Sequence, residues 1–214
     1  MIAAWSRALF VVTACSLSAC GPKALELPDE PVERAATCGV VAAAQARAGT
    51  ADIKADLPFD AMGRILHYTL LGGSKDGVFS PELGGDVQKQ MSELQDQVTG
   101  GKWQDLVPAC RTAFPATAIT DVKLPEDRFE AQLGCYELDD YVRSALQEQA
   151  AYDDETSELR PLRDKLDKVI GTGLRGRVGG DFDAQQQARH KALAEIAKAG
   201  PPTVVLRQCM KRFG

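Results

Sequence analysis

The residues with the most obvious chemical potential lie in the second half of the chain. Gly171-Thr172-Gly173-Leu174-Arg175-Gly176 has the G-x-G-x-x-G spacing of a dinucleotide-binding turn. That chemistry needs a strand before the glycines and a helix opening after them, so that backbone amides meet a pyrophosphate. Here a helical stripe ending in Ile170 precedes the glycines and no strand is visible. A phosphate-binding loop would need Lys and Ser or Thr where Arg177 and Val178 stand. The expectation is a pliable loop between helices over Gly171 to Gly180. On it, Arg175 and Arg177 are candidates to clamp a carboxylate or phosphate.

The remaining reactive side chains do not assemble into a site. His67 and His190 are the only histidines, and neither has a Cys, His or carboxylate at the three- or four-residue spacing of a metal pair. Each is expected at a polar helix flank or core edge. The serines have no convincing histidine partner for nucleophilic catalysis. Asp139-Asp140 and Asp153-Asp154-Glu155 lack the glycine and terminal glutamate of a calcium loop. They read as solvated acids, with Asp153 onward starting a helix. No catalytic residue, metal site or cofactor is expected. A formal net charge of −5 gives no electrostatic case for nucleic acid.

The elements that must position these residues are helical throughout. Val32 to Ala48 is alanine-rich and stops at Gly49. Asp56 is a candidate cap for a second helix carrying Phe59, Met62, Leu66 and Leu70, ended by Gly72-Gly73. Ser80-Pro81-Glu82 starts a third, with Ser as N-cap and Pro in the first turn, and Gly100-Gly101 stops it. Trp103, Leu106, Val107, Cys110 and Phe114 form a fourth apolar face, entered or kinked at Pro108 and closed by Pro115. After a connector, a helix from about Asp127 aligns Cys135, Leu138 and Val142. Next come Leu159, Leu162, Leu166 and Ile170, ended by Gly171. A helix from Asp181 or Asp183 then carries Leu193 and Ile196 up to Gly200-Pro201-Pro202, and Val205, Leu206, Cys209 and Phe213 line the last.

The N-terminus is of another kind. Arg7, the apolar run Ala8 to Leu17 and the small pair Ser18-Ala19 have the three parts of a secretory signal. The run is about ten residues, against the roughly twenty that span a bilayer. Leu17-Ser18-Ala19-Cys20 resembles the lipobox of bacterial lipoprotein precursors, a similarity confined to these first twenty or so residues. The resemblance implies cleavage before Cys20 and lipid on its thiol. Two or more acyl chains would hold the protein stably on a membrane. Gly21 in the following position implies, by the sorting rules of such proteins, the periplasmic face of the outer membrane. Residues 20–31 carry three prolines and read as a lipidated tether of at most about 35 Å.

With Cys15 in the signal and Cys20 on lipid, Cys38, Cys110, Cys135 and Cys209 remain. An even number in an oxidising compartment points to disulfides, in one of three pairings. The helical halves match at an offset of about 97 to 100: Cys38 falls on Cys135, Leu66 on Leu166, Gly101 on Gly200, Cys110 on Cys209 and Phe114 on Phe213. An internal duplication selects Cys38–Cys110 and Cys135–Cys209. The expectation is an all-α protein of two tandem related four-helix repeats, 32–115 and 127–214, joined by a connector at 116–126, each repeat closed by one disulfide. The expected role is a membrane-tethered, periplasm-facing lipoprotein acting as a non-catalytic protein-binding or envelope-scaffold module, with another envelope protein as partner. The alternatives are an inhibitor or immunity-type protein against a periplasmic toxin or hydrolase, and an enzyme acting on envelope material.

Overall fold

The computed structural model describes residues 25–52 and 54–214. The segment expected to be a signal, with Cys15, Cys20 and the start of the expected tether, lies outside the described residues. Within the described residues the chain is mostly helical, with nine α-helices, three short 3-10 turns and one two-stranded hairpin.

Helix α1 (Pro31–Ala48) begins where Glu30 caps the Glu33 amide and Pro31 occupies the first turn. Helix α2 (Phe59–Gly72) starts after Pro58, whose carbonyl accepts from the Ala61 and Met62 amides, so Asp56 is not its cap. The link after Gly73 is a tight hairpin of β1 (Ser74–Lys75) and β2 (Val78–Phe79). Its turn residues Asp76 and Gly77 have φ of 52° and 78°, the left-handed pair that an Asp-Gly turn supplies. The hairpin has a packing role: it sets the Phe79 ring edge-on to Tyr141 at 5.7 Å and to His190 at 6.4 Å.

Helix α3 (Pro81–Thr99) starts as expected, with the Leu83 amide donating to Ser80 Oγ. A 3-10 turn (Trp103–Leu106) then leads into the short α4 (Val107–Ala113), with Pro108 in its first turn rather than at a kink. In the second half, α5 (Arg128–Leu146) and α8 (Phe182–Ala197) are capped by Asp127 and Asp181, which accept from Glu130 N and Ala184 N. Between them come the short α6 (Asp153–Glu158) and α7 (Arg160–Val178); α9 (Pro202–Phe213) ends the chain.

Helix α7 corrects the expected loop. It does not stop at Gly171 but runs through all three glycines to Val178, ending at Gly179 with φ 81°. Glycine costs a helix about 1 kcal/mol against alanine, which continuous packing on one face outweighs. Leu162, Leu166, Ile170 and Leu174 are all buried along α7, and Gly173 gives up its side chain so that the Phe129 ring can lie against the backbone.

Two disulfides tie this scaffold. Cys38 on α1 bonds Cys110 on α4, and Cys135 on α5 bonds Cys209 on α9. Each closes a loop of a little over 70 residues, worth about 4 kcal/mol as lost entropy of the unfolded chain. Helix α1 packs on α2 and α3, and α5 packs on α7 and α8. The cores are not confined to the halves, however. Leu66, Leu70 and Phe79 share one apolar cluster with Leu138, Leu162, Ile170, Ile196 and Leu206. Gly63 lets α2 approach Thr203 on α9 closely, where a Cβ would collide with the threonine methyl. Across the same junction Tyr152 donates to the Leu57 carbonyl at 2.8 Å, and Arg207 forks onto both carboxylate oxygens of Asp60. That pairing holds Asp60 below the usual carboxylate range.

Candidate functional site

An apolar recess opens between α1, α2 and α3, with a volume of about 600 Å³, within the usual range of small-molecule sites. Its positions follow helical periodicity. Helix α1 contributes Val40, Ala43, Ala44, Arg47 and Ala48, residues three and four apart and so on one face. Helix α2 contributes Met62, Ile65, Leu66 and Thr69 in the same way, and α3 turns Gln88, Met91, Ser92, Gln95 and Thr99 toward it. The small alanines of α1 make the recess. Further toward the start of α1, Gly39 lets Met91 lie against the backbone, whereas Ala43 and Ala44 have no large neighbour filling the space beside them.

Chemically the recess is simple. Leu57 and Ile65 are buried in its wall, Trp103 stands at one end, and the amides and hydroxyls of α3 form an exposed rim. Among the described residues Arg47 is its single charged one. One Arg47 nitrogen donates to the Ala55 carbonyl, which ties Ala55 to the end of α1. Among the described residues no carboxylate lies within ion-pair distance of it. The described chain begins nearby, because Leu25 packs over Gly101, between the lining residues Thr99 and Trp103. Leu25 and Leu27 belong to the cluster around Cys38 and Cys110, and Arg34 donates to the Pro28 and Asp29 carbonyls. The latter part of the expected tether is thus held on the helical body.

A second notable group is a charge cluster on α5, α7 and α8. Arg163 pairs with Asp139 at 3.3 Å and Asp140 at 2.8 Å, and Arg189 pairs with Glu137. The Tyr136 ring has both guanidinium groups near it, 4.9 Å and 5.7 Å from its centroid. Burial raises the pKa values of Glu137 and Asp139, against the lowering influence of the arginines. Asp139, expected as a solvated acid, is buried, and its Oδ1 has no hydrogen-bond partner among the described residues. It lies one residue from Leu138 and three from Val142, on the buried side of α5, so it enters the helix junction with Arg163 as counter-charge. The arrangement is an ion-pair lattice between three helices.

The other sequence candidates are dispersed. The four cysteines Cys38, Cys110, Cys135 and Cys209 are consumed in the two disulfides. Arg175 and Arg177 stand on the rigid α7 two residues apart, a spacing that does not bring side chains face to face. Arg177 is engaged by Asp127 at 3.3 Å and lies over the Phe129 ring, so the expected clamp on pliable backbone does not form. It edges a smaller hollow of about 510 Å³ among Phe129, Leu133, Leu174 and Ala192. His67 is not at a core edge but wholly buried, its Nε2 donating to the Ala197 carbonyl at 2.7 Å. His190, partly buried, packs on Phe79. Among the described residues no group of three His, Cys, Asp or Glu side chains has metal-binding geometry.

Sequence reasoning had not singled out the recess. Its only signal was the spacing of Ala43, Ala44 and Ala48, which an alanine-rich helix offers on every face. No protein-family model, no curated protein and no solved structure matches this chain.

Proposed function

We propose that this chain is a membrane-tethered lipoprotein of the bacterial envelope, facing the periplasm from the outer membrane and acting as a non-catalytic binding or scaffold module toward another envelope protein. The observation that carries the reading is the placement of the recess: a cross-linked helical body presents an apolar groove at the end where the chain leads back toward Cys20. From Leu25 to Cys20 is five residues, at most about 17 Å of extended chain. A lipid on Cys20 would therefore keep the groove close to the membrane surface.

The scaffold suits binding rather than chemistry. Two long-range disulfides and a shared core hold its elements rigidly. The two histidines serve packing, one at the junction of the halves and one against Phe79. Among the described residues no helix is long and apolar enough to cross a membrane.

The body is built from two related four-helix units, 32–115 and 127–214. This is supported by the parallel between α1, α2, α3, α4 and α5, α7, α8, α9. In each series the first helix packs on the second and third, and a disulfide joins the first helix to the last. The 74–79 hairpin and α6 are additions to one unit each.

Gentle solubilisation of membranes followed by affinity purification of the tagged full-length chain tests the binding role. The expected result is a stoichiometric envelope protein retained through washing. Recovery of the chain alone under several detergents would count against it.

A further inference from the structure

We propose that the groove between α1, α2 and α3 binds a single-chain anionic amphiphile of the fatty-acid class, with its tail along Ala43, Ala44 and Met91 and its carboxylate at Arg47. The proposal rests on the binding-module reading for the groove's place near the membrane, and gives the groove a small ligand of its own beside the protein partner of the module.

Length and lining suit an aliphatic tail. The groove follows α1 from Val40 to Ala48, roughly 12 Å at helical rise. Its volume of about 600 Å³ falls in the range of small-molecule sites. An extended aliphatic tail needs no hydrogen-bonding partner from walls such as Val40, Leu57, Ile65 and Met91.

Charge decides the head group. Among the described residues the apolar lining carries one charge, Arg47, which keeps donors in excess of its bond to Ala55 and has no ion pair. A guanidinium fork matches a carboxylate. The rim of Gln88, Ser92, Gln95 and Thr99 is neutral, so it neither repels an anion nor competes for it. Supply fits as well: the segment outside the described residues leaves from Leu25, beside Thr99 and Trp103, and with Cys20 anchored the groove would sit where acyl-chain lipids are concentrated.

Calorimetric titration of full-length Cys20→Ser protein with sodium decanoate, below its micellar range, tests this without competing anchor lipid or detergent. The expected result is saturable binding at one site. Shortening the ligand to octanoate should weaken it roughly 15-fold, from two fewer buried methylenes. Arg47→Gln should weaken decanoate about tenfold, from loss of a charged hydrogen bond, and leave decanol unchanged. Ala44→Phe should abolish binding by filling the floor, and Ala48→Phe, at an exposed lining position, should weaken it even if the first variant proves unstable. Absence of saturable binding, or equal binding by both groove-filling variants, overturns the proposal. An equal effect of Arg47→Gln on decanoate and decanol overturns the carboxylate assignment. None of these outcomes depends on membrane attachment or on recovery of a protein partner, so failure here is distinguishable from failure of the binding-module reading.

Discussion

Lowering the pH should loosen the junction between the two halves through one side chain, His67. Its ring is wholly buried between α2 and α8, and burial depresses its pKa from 6.5 to about 4, only partly opposed by the hydrogen bond to the Ala197 carbonyl. Because that carbonyl can only accept, Nε2 carries the proton, and Nδ1 is left with no partner among the described residues. Protonation would place a charge on Nδ1 where nothing accepts its hydrogen. The folded pKa lies below the unfolded one, so the unfolded chain binds more protons as pH falls from 6.5 toward 4, and stability is lost over that window. The full loss is about 3 kcal/mol, of which about 1.3 kcal/mol should be lost between pH 7.5 and 5.5. That upper window lies above the ordinary carboxylate range. Glu137 and Asp139, whose pKa values are raised, would act in the opposite direction as they protonate. Urea unfolding at half-unit pH steps, disulfides intact, gives the slope from the midpoint at constant m. His67→Phe should flatten it. A wild-type stability unchanged between pH 7.5 and 5.5, or a slope that survives the substitution, would refute the assignment.

The α7 glycines offer an internal contrast. Gly171→Ala and Gly176→Ala, where a new Cβ meets open space, should each stabilise the fold by up to about 1 kcal/mol, whereas Gly173→Ala should destabilise it by driving a methyl into the Phe129 ring; thermal melts of the three variants check the ordering. Arg163→Met strands the buried carboxylate of Asp139 and should cost about 3 kcal/mol or more. The double change Arg163→Met with Asp139→Leu should recover much of that loss in chemical denaturation. Replacing Cys135 and Cys209 together by serine should cost about 4 kcal/mol, read as a lower urea midpoint, with the Cys38–Cys110 bridge still recovered by non-reducing peptide mapping.

Local chemistry accounts for what was legible in the chain. Ser80, Asp127 and Asp181 declare helix starts through their own side chains, and each caps the helix expected of it. The disulfide pairing was readable because the spacing of the four cysteines recurs along with the helical pattern around them. Readings that failed were settled by partners distant in sequence. Gly171 looks like a helix stop on local grounds, yet Phe129, some forty residues earlier, packs against Gly173 and α7 continues. His67 and Asp139 look like surface groups until Ala197 and Arg163 are placed beside them. Asp76-Gly77 carries a hairpin-turn signal, but only Val78-Phe79 on one side of it is β-prone, too brief to stand against the helical stripes around it. The groove was the least legible feature, since it exists only where three helix faces meet around small side chains.

The central claim, that Cys20 holds this body on a membrane, is tested most directly by fractionation of cells expressing the full-length chain and its Cys20→Ser variant. The wild-type chain should remain with membranes through high-salt and carbonate washes, while the variant should appear in the soluble fraction with both disulfides formed and the same urea midpoint. A variant that stays membrane-bound through those washes, or a wild-type chain that is washed off, would contradict lipid anchoring through Cys20.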